Sequence, residues 1–348
     1  MFLVWATAFY LRKGRLLPAF RITKAFEVRK KKAYNNKELQ EDCEGYFNSL
    51  TTGEPLDCLI EELDNAGFEV NQEISEIFRI VNSEKIAEKI LERMGFRERD
   101  FALRASEALK PIARKAAVVF AEEIRNIGDA PRDPLGNLAS DIMRKRKAGA
   151  MIALAMIAGE LALPVLAESA EDSDPAVRFA AFEAISRINS PAATRLLTKY
   201  LYAQNGQWQG DVIRLLPRLD SAVAIPILGK YFHMSPGKWI EIIRTIGRLG
   251  GPQARDFLLD TLDSWSFYYN EIDRSDADGF ILALLDSLGR CPYDKELERA
   301  VKLFIGEWRG NNIVRGVKDI FGVNPDSVIK EAKNIISRWK EEKSEVST

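Results

Sequence analysis

One short pattern recurs along this chain at a near-constant interval, and that recurrence narrows the fold more than any other feature. Ala-x-x-x-Leu opens four apolar-periodic segments, at Ala162–Leu166, Ala193–Leu197, Ala224–Leu228 and Ala254–Leu258, offset by 31, 31 and 30 residues. Each follows a second such segment that closes on a short turn, at Gly159, Asn189, Asp220 and Gly250. Apolar residues recur at i, i+3, i+4 and i+7, as in Val177, Ala180, Ala181, Ala184, Ile185 and Ile188, which is helical spacing. Gly and Asn suit the left-handed residue that often ends a helix. Pro164 and Pro226 are expected in the first turn of the following helix, where a missing N–H costs nothing. Each unit therefore reads as helix A, tight turn, helix B, loop. Such a pair has one apolar side and cannot bury it alone, so successive pairs must stack.

The clearest unit runs Asp172-Ser-Asp-Pro-Ala-Val-Arg-Phe-Ala-Ala-Phe-Glu-Ala-Ile-Ser-Arg-Ile188. Asp174 and Pro175 make a helix start by capping chemistry alone. This stretch resembles the HEAT repeat, whose helix pairs commonly open on an Asp-x-x-Pro-x-Val-Arg entry followed by Ala and Leu positions. The other units keep the period and the turn but lack the Val-Arg pair. The resemblance implies an all-α chain, a right-handed α-solenoid of HEAT-like helix pairs with an N-terminal helical cap. It covers residues 97–340 and is strongest over 148–260. Asp100–Leu109 pairs with Ile112–Ile127 around Pro111, and Gly128–Asp141 reads as a loop. Gly279–Gly289 pairs with Lys295–Trp308, and Asn312–Phe321 with Asp326–Trp339. Residues 36–96 form the cap, with Gly53, Gly67 and Gly95 as breakers, and 341–348 a disordered tail.

With 46% apolar residues the chain can bury a large core. Its net charge of −1 conceals an asymmetry. Residues 1–33 hold nine Lys or Arg against Glu27, a charge of +8, which leaves −9 for the rest. Residues 1–35 thus read as an apolar and basic arm. Met1–Leu11 is uncharged, and at 1.5 Å per residue it spans roughly 16 Å, about half a bilayer core. Its charges follow the apolar run, unlike a secretory signal. Three readings stay open: a shallow anchor, the end of a spanning helix, or a helix docked on the protein's own end. In the anchor reading Trp5 and Tyr10 sit at the interface while Arg12, Lys13 and Arg15 face anionic lipid. Either membrane reading places the body in the cytoplasm.

Cys43, Cys58 and Cys291 are odd in number and unpaired in spacing, so a disulfide framework or thiolate metal site is not expected. His233 is the single histidine. Some helical-repeat proteins resembling this class are iron hydroxylases with His-Glu metal ligands, and this chain departs from that pattern. No cofactor, metal or catalytic residue is expected. Aligned as a calcium loop, Asp273–Gly279 puts Arg274 and Leu285 where ligands belong; Asp276 and Asp278 read instead as helix caps.

Arg187, Arg218, Arg248 and Arg290 fall at one repeat position, 31, 30 and 42 residues apart. Their column reads either as partner-binding guanidinium groups or as cations complementing helix C-termini. The longer last step marks an insertion, Ser264–Asp273, whose Trp265, Phe267, Tyr268 and Tyr269 are partner-contact candidates or internal packing. Trp208 and Trp239, like Trp308 and Trp339, are 31 apart and read as stacking core.

The leading reading is a non-enzymatic scaffold or adaptor holding a protein partner, with its arm on an anionic membrane surface. The rival is a nucleic-acid protein, since certain HEAT-like solenoids are DNA-repair glycosylases. Trp265 or Trp208 and Asp211 or Asp260 would then serve a flipped base, but the acidic body disfavours it. A repeat-type lyase is a third class.

Overall fold

The helical spacing is realised across the described residues. The computed structural model describes residues 16–32, 37–51, 54–65, 68–95, 99–126, 138–203, 208–272, 276–310 and 325–346. Among them all regular structure is helical and there is no strand. The chain divides into two compact units, residues 1–196 and 197–348, with the division inside a helix. It does not fall between residues 96 and 97, where the sequence separates cap from repeats.

Unit 1 holds α1 (Leu16–Lys32), α2 (Lys37–Ser49), α3 (Glu54–Asn65), α4 (Phe68–Val81), α5 (Glu84–Met94), α6 (Arg99–Leu109), α7 (Ala113–Asn126), α8 (Leu138–Ala158), α9 (Leu163–Ser169), α10 (Pro175–Arg187) and the start of α11 (Pro191–Leu201). The basic arm is not a separate element over its described part. α1 packs on α2 and α4, burying Ala19, Thr23 and Phe26. Phe26 stacks on Tyr46 at 3.9 Å between ring centroids. Glu27 accepts from Lys31 at 3.0 Å and from Arg79 of α4 at 3.2 Å. The Lys31 hydrogen bond, aided by Arg79 and opposed by burial, holds the Glu27 carboxyl below its ordinary range. Trp5, Tyr10, Arg12, Lys13 and Arg15 lie outside the described residues.

α8 begins at Leu138, inside the stretch expected to be a loop. Asp141–Ser169 is long and apolar enough to cross a membrane by length and composition, and half of its most apolar window is buried within the protein. α6, α7 and α10 all pack on α8, and Gly159, at φ +55°, breaks the run before α9. That surround gives it the place of a core helix.

The α9–α10 junction shows why the Asp-x-x-Pro-x-Val-Arg pattern folds as it does. Asp174 accepts from the Ala176 N–H at 2.8 Å, and Pro175 opens α10. Asp172 accepts from the Asp174 N–H at 2.9 Å and from Lys147 Nζ of α8 at 2.8 Å. Arg178 donates to the Asp172 and Ser173 carbonyls at 2.9 Å each, and Val177 points into the core. Two buried cations thus fix the loop on both sides.

Unit 2 continues with α12 (Gln209–Leu215), α13 (Ser221–Met234), α14 (Trp239–Leu249), α15 (Gly251–Asp263), α16 (Trp265–Glu271), α17 (Ala277–Leu288), α18 (Lys295–Gly310) and α19 (Pro325–Val346). The A helices α12, α14 and α17 pack in one row and the B helices α13, α15 and α18 in a second, with α14 and α15 also paired. This is the stacking of HEAT-like pairs that the period requires. Gly250 and Gly251 turn α14 into α15 at φ +65° and +81°. Asn189 needs no such conformation, because α10 ends on Ile188 in an extended geometry. Pro226 is not in a first turn either: Asp220 caps at Ala222 N–H, α13 starts at Ser221, and the proline falls in its second turn. The expected disordered tail is helical as far as Val346, and Asn312–Phe321 lies outside the described residues.

The Lys147–Asp172 pair is the sharpest structural liability, since each side chain is 9% exposed. Removing one partner of a buried pair costs about 3–5 kcal/mol. Asp172→Ala should therefore lower the urea-unfolding stability of unit 1 by about 3 kcal/mol, and Asp172→Leu with Lys147→Met should recover most of that. Equal loss in both variants would show that the pair is not the cause.

Candidate functional site

The candidate site grows out of α14. Its apolar stripe, Trp239, Ile242, Ile243 and Ile246, is fully buried, which turns Glu241, Arg244 and Arg248 outward with Lys238 just before the helix. Neighbouring α12 buries Val212, Ile213 and Leu215 and leaves Arg214 exposed. On the other side α17 buries Phe280, Ile281, Leu284, Leu285 and Leu288. Asp286 and, just past its end, Arg290 face out.

Between these three helices runs an open groove of about 510 Å³ lined by Arg214, Gly237, Lys238, Ile240, Glu241, Arg244, Arg248, Asp286 and Arg290. Five cations meet two carboxylates there, a lining charge of +3. Residues 197–348 as a whole carry equal numbers of basic and acidic side chains, so the groove concentrates positive charge in a neutral unit. Arg290 pairs with Asp286 at 2.9 Å and Lys238 with Glu241 at 3.6 Å. Arg214 pairs with Asp211. Among the described residues Arg248 donates only to the Thr245 hydroxyl, at 3.0 Å. Arg244 has no ion pair or hydrogen bond among the described residues. Guanidinium groups so placed offer planar donor pairs to carboxylate or phosphate oxygens.

Glycine sets the groove's width. A Cβ on Gly247 of α14 would lie 2.5 Å from Ser287 Cβ and 3.0 Å from its Cα, and Ser287 Oγ donates to the Ile243 carbonyl at 3.2 Å. The two A helices meet backbone to backbone there. On the other side Gly210 faces Glu241 and Lys238.

Of the arginine column, the groove gathers Arg248 and Arg290. Arg218 does not line it. Arg187 belongs to unit 1 and pairs at 3.3 Å with Glu183, which is 1% exposed. Sequence reasoning passed over Arg214, Lys238 and Arg244. The first and last were within reach, since they stand 30 residues apart and each lies four residues before a member of the column.

The insertion corrects an expectation. Trp265, Tyr268 and Tyr269 are not a contact surface: they are at most 8% exposed. Trp265 donates to Glu307 at 3.0 Å and sets its ring against Phe304 and Trp308. Tyr268 packs edge-on to Trp239 and Phe232. Phe267 alone of the four is open, at 60%. Trp239, Trp308 and Trp339 are core, while Trp208 is half-buried. His233 is exposed at the end of α13. Asp276 precedes α17 without a side-chain cap bond, and burial pushes the Asp278 carboxyl up against a hydrogen bond from Tyr269. Asp211 is taken by Arg214, and Asp260 is exposed. Among the described residues no three His, Cys, Asp or Glu side chains form a metal-binding cluster.

If Gly247 sets the approach of α14 to α17, Gly247→Ala should cost about 1–3 kcal/mol by overpacking. Gly306→Ala, with open space around its Cβ position, should instead gain about 0.5–1 kcal/mol from helix propensity. Thermal unfolding of the two variants checks the contrast.

A model of the HEAT-repeat family matches residues 132–216, a shorter span than the resemblance read from the sequence. HEAT repeats generally mediate protein–protein interaction and are typically not catalytic. Among solved structures, the crystal structure of an engineered protein is similar at 15% identity, over 92% of this chain and 91% of that one, with a TM-score of 0.34. No curated protein matches.

Proposed function

We propose that this HEAT-repeat chain is a non-enzymatic scaffold that holds a protein partner, and that the basic groove of unit 2 is where it holds it. The observation that carries the reading is the groove itself: five cations on or at the ends of three stacked helices, one of them, Arg244, without an ion pair or hydrogen bond among the described residues. A stacked row of helices presents such a surface as a rigid, extended face. The nucleic-acid reading draws less support, because two carboxylates interrupt the lining and phosphate-binding surfaces cluster Lys and Arg within a basic domain.

Affinity capture tests the reading. Arg244→Glu with Arg248→Glu should lose one abundant partner that the wild-type chain retains. Lys330→Glu with Lys333→Glu, an equal charge change at exposed positions of α19, should keep it. Undiminished capture by the groove variant would end the proposal.

The same reading sets the outer face of α1 against an anionic membrane surface and the body in the cytoplasm. Arg21, Lys24, Arg29 and Lys30 are exposed, and each such cation contributes about 1 kcal/mol near anionic lipid. The full chain should float with phosphatidylserine-rich vesicles and not with phosphatidylcholine alone, and Arg21→Glu, Lys24→Glu and Arg29→Glu together should reduce flotation. Equal behaviour on both vesicle types would remove the tether from the reading.

A further inference from the structure

We infer that the groove of unit 2 accepts an extended acidic peptide, whose carboxylates occupy the places that the repeat elsewhere fills with its own acids. This rests on the scaffold reading and deepens it. In the aligned units the position four residues before the column arginine is Glu183, Arg214, Arg244 and Asp286, spaced 31, 30 and 42 apart like the column itself. In the outer two the acid and the arginine form an i,i+4 ion pair, Glu183–Arg187 and Asp286–Arg290. In α12 and α14 an arginine replaces the acid. The result on α14 is a like-charged i,i+4 doublet, Arg244 with Arg248, in a geometry that stabilises opposite charges and opposes equal ones, while α12 ends at Leu215 and carries Arg218 in the 3-10 turn that follows.

Arg214 finds Asp211 one turn back. Among the described residues Arg244 finds no partner, and Arg248 only a hydroxyl. A carboxylate supplied from outside at the α14 position restores the pairing that α17 makes for itself. Arg214, Arg244 and Asp286 stand on successive A helices, and packed helix axes lie about 8–10 Å apart. A polypeptide in polyproline-II conformation repeats a face every third residue and advances about 9 Å in that step. Acids three residues apart in such a peptide therefore match the row, with one carboxylate toward Arg214 and the next between Arg244 and Arg248. Glu241 and Asp286 on the groove wall repel a continuous polyanion but leave room for a chain whose charges are spaced. That distinguishes a peptide from a nucleic-acid strand, which carries a charge on every nucleotide.

The test is fluorescence anisotropy of the full chain with a synthetic peptide bearing Glu at every third position. Its comparators are the same peptide with Gln for Glu and a single-stranded oligonucleotide of equal total charge. The Glu peptide should bind in a salt-dependent manner and the Gln peptide should not. Arg244→Gln with Arg248→Gln should weaken binding about tenfold, while Lys330→Gln with Lys333→Gln leaves it unchanged. Among the described residues Arg244 makes no internal bond and Arg248 one, so this variant should keep the wild-type unfolding temperature. An oligonucleotide that binds as tightly as the Glu peptide overturns the inference, as does peptide binding that ignores the two arginines or is absent at low salt. If peptide binding is absent while partner capture still depends on Arg244 and Arg248, the scaffold stands and the acidic occupant falls. If capture is insensitive as well, both fall.

Discussion

The close seat of α14 on α17 governs unit 2. With Gly247 against Ser287, the two helices approach nearer than any side chain would allow. The isoleucines and Trp239 on the inner face of α14 then reach full burial, each worth roughly 1.5–3 kcal/mol. That apolar stripe fixes the rotation of the helix. Once it is fixed, Lys238, Glu241, Arg244 and Arg248 have only one direction left to face. The charges of the groove are therefore positioned by residues that carry no charge, and they need no mutual attraction to stay in place.

The insertion shows the limit of residue type as a guide. Trp and Tyr serve an interface hot spot and a core for the same reason, large area with a polar handle. What decides between them is whether a neighbour supplies the partner. Here Glu307 takes the Trp265 indole N–H and Trp308 receives both Trp265 and Tyr269. These partners lie some forty residues downstream on α18, a relation that local pattern does not reveal. α16 accordingly closes the gap that the longer repeat step opens, leaving Phe267 outside.

The helix pairs were legible because burial imposes a period, and a period is visible in one sequence. Asp174, Pro175 and Gly250 were legible because capping and positive φ each demand particular residue types at particular offsets. Pro226 was misplaced because Asp220 starts α13 two residues early enough to carry the proline into the second turn. The basic run left α1 open between a membrane contact and a helix docked on the protein itself, and its buried Ala19, Thr23 and Phe26 supply the docked side. The groove was half visible. Arg248 and Arg290 stood in the column, but Arg214 and Arg244 emerge only when the position before the column is aligned as well, and Lys238 only when the preceding turn is folded against α14.

Two charge arrangements in this chain differ in what the fold would lose without them. Lys147 and Asp172 are buried together, so their pairing is bound to stability, and either alone is expensive. Arg244 and Arg248 are exposed, where a like-charged i,i+4 pair costs only about 0.2–0.5 kcal/mol and solvent screens part of that. The fold tolerates such a doublet at little expense and gains nothing from it. A repeat that places an acid before its arginine in α17, and an arginine there in α12 and α14, has therefore moved charge at open positions, whereas the equivalent acid of α10, Glu183, is buried. Stability does not account for the change. The acidic peptide proposed for the groove would supply the carboxylates that α12 and α14 lack.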